Sequence, residues 1–164
     1  MPVFISDACI FILLIRHGIL ESFFHSCQDV KTSSLVWFEM RDEQQESLSL
    51  YIEQGNLSIV ETEVNSSLKL PKSLSLADVS VISLANSLNG IILSSDKLLR
   101  LHAQKHSLEV HGFLWIIQRM IKSRSIDATN AKTILESMLT DPLVFRNKEL
   151  LKEVENTIQE IEMF

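Results

Sequence analysis

Four acidic side chains stand where carboxylates can do chemistry. Asp7 follows the short apolar run of residues 3–6, and Asp96 follows Ile91, Ile92 and Leu93 after Ser94-Ser95. Glu39 is set among Leu35, Val36, Trp37, Phe38 and Met40, and Asp78 among Leu76, Val79, Val81 and Ile82. A charge embedded in apolar sequence is expensive unless something compensates it. Each acid also has an ordinary structural explanation. Asp7 and Asp96 can cap helices by accepting backbone N–H bonds. Ser75 with Asp78 has the spacing of a capping box. Glu39 can be a solvated helix residue, with Glu43 or Glu46 able to stand in its place.

Convergence would change their meaning. Like charges about 5 Å apart repel by roughly 3 kcal/mol per pair at an effective dielectric near 20. Such a cluster takes up protons or a cation. All-oxygen donors select a hard ion, so Mg²⁺ or Mn²⁺ is expected over Zn²⁺. The ion would lower the pKa of a water and neutralise charge on a phosphodiester under in-line attack.

The elements around these residues alternate. Strand character is expected at residues 3–6, 29–34, 57–60, 91–93 and 108–110. Helices are expected at 8–16 with Gly18 as C-cap, at 19–25 as a turn or two, at 35–53, at 75–88 and at 97–105. Three more follow at 112–122, 127–139 and 147–161, and Pro71 closes a polar connection. Alternation of this kind predicts an α/β three-layer sandwich, a central mainly parallel sheet flanked by helices, in one domain over residues 1–164. Ligands of such sheets bind beyond the carboxyl ends of the strands. Asp7 and Asp96 occupy two of those ends, and Asp78 and Glu39 lie on helices that pack over the same sheet.

In this order the four blocks resemble the PIN-domain ribonucleases, which include VapC-type toxins of toxin–antitoxin pairs. Residues 5–12 (ISDACIFI) look like the family's opening strand and first acid, and 32–39 (TSSLVWFE) like its second acidic element. Leu76-Ala77-Asp78 with Ser83-Leu84-Ala85 resembles the third. Residues 91–100 (IILSSDKLLR), followed by Ala103, resemble the fourth, and 110–116 (VHGFLWI) the final strand-to-helix passage. The resemblance implies a PIN-like fold and a Mg²⁺- or Mn²⁺-dependent endoribonuclease. Asp7, Glu39, Asp78 and Asp96 would be its catalytic metal ligands, which selects Glu39 over Glu43. Ser94 and Ser95 would support the acids from behind, while Lys97 and Arg100 would contact RNA phosphates. It further implies a homodimer and an antitoxin partner. Many members have Thr-Asn after the first acid, where Ala8-Cys9 stands here, and Thr or a second acid before the fourth. The competing expectation is therefore a catalytically weak or inactive module that binds RNA or protein. An aspartyl-phosphate phosphotransfer domain fits less well, because Cys9 replaces the second acid of Asp-x-Asp.

Bulk properties agree with a compact enzyme. The chain has 164 residues, 46% of them apolar, and few glycines or prolines. Its net charge of −6 argues against a sequence-blind nucleic-acid coat. Residues 39–63 carry seven acids against Arg41, whereas 97–124 carry six bases against Glu109. Cys9 and Cys27 suit a reducing, cytoplasmic setting. The apolar run at 8–15 has no preceding base, has Asp7 at its mouth and is too short to span a bilayer, so neither leader nor membrane contact is expected. His102 and His106 have i, i+4 spacing but no third ligand beside them. Leu151, Val154, Ile158 and Ile161 form one helical stripe, suited to packing on the domain or on a partner.

Overall fold

A computed structural model describes residues 1–63 and 69–163. Five strands form one sheet: β1 (Phe4–Ser6), β2 (Val30–Ser33), β3 (Leu57–Val60), β4 (Ile91–Leu93) and β5 (Val110–His111). Their order is β3-β2-β1-β4-β5 and every pairing is parallel. Parallel strands need both faces covered, so they read as continuous apolar runs. Phe4 and Ile5 of β1 and Ile92 and Leu93 of β4 are accordingly buried.

The flanking helices begin where the sequence caps them. Asp7 caps α1 (Ala8–Arg16), which ends at His17 with Gly18 at positive φ, and α2 (Leu20–Ser26) follows. Ser75 caps α5 (Leu76–Leu88), and Asp96 caps α6 (Lys97–Lys105). The helix expected over 35–53 is two helices, α3 (Ser34–Glu39) and α4 (Asp42–Glu53). Met40 and Arg41 are extended between them, the Gln44 side chain accepts the Arg41 N–H at 2.9 Å, and Gln45 donates to the Trp37 carbonyl at 2.8 Å. The second helix thus has its own start, and Glu39 closes the first. Strand β5 also begins later than expected, because Leu108 N–H still bonds the Ala103 carbonyl in the cap of α6. The polar connection ending at Pro71 lies partly outside the described residues.

The chain divides into two compact units, residues 1–113 and 114–164. The first holds the sheet, with a core that includes Ile5, Val36, Val81, Ile82, Ile92 and Leu99. Gly90 is part of that packing: a Cβ there would stand 2.9 Å from Ile5 Cγ1 and 3.2 Å from the Val3 carbonyl oxygen. The second unit holds α7 (Phe113–Lys122) from Leu114 on, α8 (Ala128–Leu139), the unexpected short α9 (Pro142–Phe145) and α10 (Lys148–Glu162). Helix α10 packs on α8 with Val154 and Ile161 buried, and Lys132 bridges to Glu162 at 2.7 Å. No helix among the described residues is long and apolar enough to cross a membrane.

Candidate active site

The strand order reverses between β1 and β4, and Asp7 and Asp96 lie at the carboxyl edge of these two strands. The register Ser6↔Leu93 brings Asp7 and Ser94 side by side. Ser94 is fully buried, and its hydroxyl donates to Asp7 Oδ2 while accepting the Asp96 N–H at 3.1 Å. One hydroxyl therefore fixes both acids. Asp7 Oδ1 caps α1 by accepting the Ile10 N–H at 3.0 Å, and Asp96 Oδ1 caps α6 by accepting the Leu99 N–H at 2.8 Å.

Burial dominates the electrostatics of Asp7. It pushes the carboxyl up to about 6, against the hydrogen bonds from Ser94 and Ile10 and with help from the negative charges of Asp78 and Asp96. Asp78 stands in the first turn of α5, its N–H bonded to Ser75 Oγ at 3.1 Å. Burial raises its pKa and Asp96 adds to that, while bonds from Ser75 pull it back. Burial and Asp78 also raise Glu39, the last residue of α3. Buried hydroxyls join the two helices: Ser33 Oγ and Ser80 Oγ lie 2.6 Å apart, Ser33 caps α3 at the Val36 N–H, and Thr32 Oγ1 donates to the Ser6 carbonyl at 2.7 Å.

Sequence reasoning singled out the four acids but missed their common neighbour. Cys9 lies exposed in the first turn of α1, and after burial the charges raising its thiol pKa are those of Asp7, Asp96, Asp78 and Glu39. The charges of all four acids are thus felt at this thiol. The signal was available: the second residue of a helix that starts at a strand's carboxyl end lies at that same edge. Ser33, Ser80 and Thr32 carried no such signal, because their partners are distant in sequence. Among the described residues, however, no three of these side chains come close enough to enclose a metal ion.

The supporting residues divide. Ser94 holds the acids, whereas Ser95 Oγ accepts the Phe113 N–H at 3.2 Å at the far side of its turn. Lys97 is exposed at the start of α6. Arg100 is half-buried, with its guanidinium nitrogen 3.2 Å from where a Gly112 Cβ would stand, so it lies along the turn between β5 and α7. His102 and His106 belong to no metal-holding group among the described residues. A hollow of about 370 Å³ lies among Phe24, Gln28, Tyr51 and Asn56, near the amino ends of β2 and β3, and none of the four acids lines it.

A family model, DUF3368, described as PIN domain, matches residues 3–160. The chain belongs to the PIN-domain family. PIN domains are generally nucleases and usually use divalent metals. A PilT N-terminus domain protein from the hyperthermophilic archaeon Sulfolobus solfataricus has a similar solved structure, with a TM-score of 0.50 at 12% identity over 74% of this chain and 92% of that one. That likeness carries the fold alone. No protein of curated function matches at a significant level. In this PIN domain Asp7 and Asp96 follow the adjacent parallel strands β1 and β4 at their carboxyl ends.

Proposed function

We propose that this PIN domain is an endoribonuclease that hydrolyses phosphodiester bonds with Mg²⁺ or Mn²⁺ held by Asp7, Asp78, Asp96 and Glu39. The observation that carries this reading is the buried Ser94 hydroxyl, which holds Asp7 and the turn of Asp96 together at the carboxyl edge of β1 and β4. Capping accounts for Asp7 and Asp96 individually. It does not account for Glu39, which ends a helix where the dipole disfavours negative charge. Hard oxygen donors fit Mg²⁺ or Mn²⁺, and the open spacing fits an ion that keeps several waters and binds through few carboxylates plus substrate phosphate. When bound, the ion supplies an acidified water and neutralises phosphodiester charge. Ser94 orients Asp7 and the turn of Asp96, and the amino ends of α1 and α6 favour anions at the same edge. Lys97 and Arg100 on α6 would receive RNA phosphates.

RNA cleavage in Mg²⁺ or Mn²⁺ by the wild-type chain, and its loss by at least about a hundredfold in Asp7→Asn or Asp96→Asn, tests this reading. Wild-type rates in those variants would sink it. Cys9, standing among the acids, favours a second reading as a non-cleaving RNA- or protein-binding module, which would bind RNA and cut nothing with any metal. The resemblance to VapC-type toxins extends the main proposal to a cytoplasmic toxin, homodimeric and restrained by an antitoxin. Co-purification of a small partner that blocks cleavage would test that extension.

A further inference from the structure

We propose that Arg100, Ser95 and the space left by the missing side chain of Gly112 form a notch that grips one backbone phosphate of the bound RNA, a neighbour of the phosphate held at the acids. The inference rests on the nuclease reading above; it gives Ser95 a role at the substrate and makes Gly112 part of the site. Gly112 has no backbone need to be glycine, since among the described residues the glycines at positive φ are Gly18 and Gly55. What its bareness leaves is room. A Cβ there would stand 3.2 Å from Arg100 Nη1 and 3.5 Å from Ser95 Oγ, so the two polar groups flank one gap. At Gly90, by contrast, the nearest atoms belong to the Ile5 side chain and the Val3 carbonyl, and packing explains that glycine. Ser95 is exposed, and Arg100 and Gly112 are half-buried, so the gap is open to a ligand.

The donors at this gap are unspent. Among the described residues the Arg100 guanidinium has no hydrogen bond or ion pair. Glu109 is paired with His111 at 2.8 Å instead, and Asp96 Oδ1 is taken by the Leu99 N–H. Ser95 Oγ accepts the Phe113 N–H at 3.2 Å, which leaves its own proton to donate. A planar fork of N–H donors beside a hydroxyl suits the oxygens of a phosphate. The notch is also tied to the acids through the backbone. The Arg100 N–H bonds the Asp96 carbonyl at 3.0 Å, which sets Arg100 one helical turn, about 5.4 Å, along α6 from the fourth acid. A strand whose reacting phosphate lies at the acids brings its next phosphate within reach of that turn.

The test is a binding titration of the full chain in Ca²⁺ with a short single-stranded oligoribonucleotide, repeated over a series of KCl concentrations. Each phosphate contact on a single strand contributes about 0.7 to the slope of log affinity against log salt. Gly112→Ala keeps every charge but fills the notch, and is expected to weaken binding about tenfold and to flatten that slope by about 0.7. Arg100→Gln should do the same. Lys105→Gln, which removes the same charge from the far end of α6, should leave both quantities near their wild-type values. Two results would overturn the notch: Gly112→Ala binding with wild-type affinity and slope, or Lys105→Gln losing as much as Arg100→Gln, the mark of a diffuse positive field. If the wild-type chain still cleaves RNA in Mn²⁺, either result leaves the nuclease reading standing. Binding that depends on the notch without cleavage in Mg²⁺ or Mn²⁺ overturns the nuclease reading alone. A wild-type chain that neither binds nor cleaves RNA overturns both.

Discussion

Asp7 concentrates the physics of the site in one carboxyl. Its pKa, about 6 in the folded chain against an ordinary 3.8, means that the native state holds a proton the unfolded chain has released between roughly pH 4 and 6. Stability therefore falls as pH rises through that window, by on the order of 3 kcal/mol when no cation is bound. Asp7→Asn keeps a good N-cap without the charge. Urea unfolding should find it more stable than wild type at pH 8, with the difference vanishing near pH 4. Equal stability at both pH values would remove burial as the cause. Ser94→Ala deletes a donor to Asp7 and an acceptor for Asp96 at once, and should cost about 1–3 kcal/mol of stability. Its Mn²⁺ affinity should fall about ten- to a hundredfold, as for other outer partners of metal ligands, measured by calorimetry.

The elements explain what was legible in the sequence. Caps are local, so Asp7, Ser75 and Asp96 announced their helices correctly. The break at Met40-Arg41 was hidden because residues 35–53 lack the glycine or proline that marks an end, and glutamine side chains hold the break instead. Asp7 and Asp96 could be placed at strand ends from strand-helix alternation, while their supports could not. Ser94 meets Asp7 across 87 residues and Ser33 meets Ser80 across 47, and no spacing rule reaches that far. Packing at Gly90 is equally non-local. Gly90→Ala should destabilise the chain by about 1–3 kcal/mol, read as a lower urea midpoint, because its Cβ would press on the buried Ile5 side chain and the Val3 carbonyl. Gly112→Ala meets the Arg100 guanidinium and the Ser95 hydroxyl as its nearest atoms, the closest at 3.2 Å, and should cost less.

At the scale of the whole molecule, the sheet order sets Asp7 and Asp96 at the carboxyl ends of neighbouring strands in an acidic chain. Repulsion among them is a standing cost that a divalent ion removes, so Mn²⁺ should raise the melting temperature, increasingly with the logarithm of its concentration above Kd. At a hundredfold excess over its Kd the gain is about 2.7 kcal/mol, and Asp7→Asn should abolish most of it. The central claim, that these carboxylates form one metal site, is tested most directly by locating the ion. An anomalous difference map from crystals soaked in Mn²⁺ should place a peak about 2.2 Å from oxygens of at least two among Asp7, Asp78, Asp96 and Glu39. A peak elsewhere, or none at saturating Mn²⁺, would contradict it.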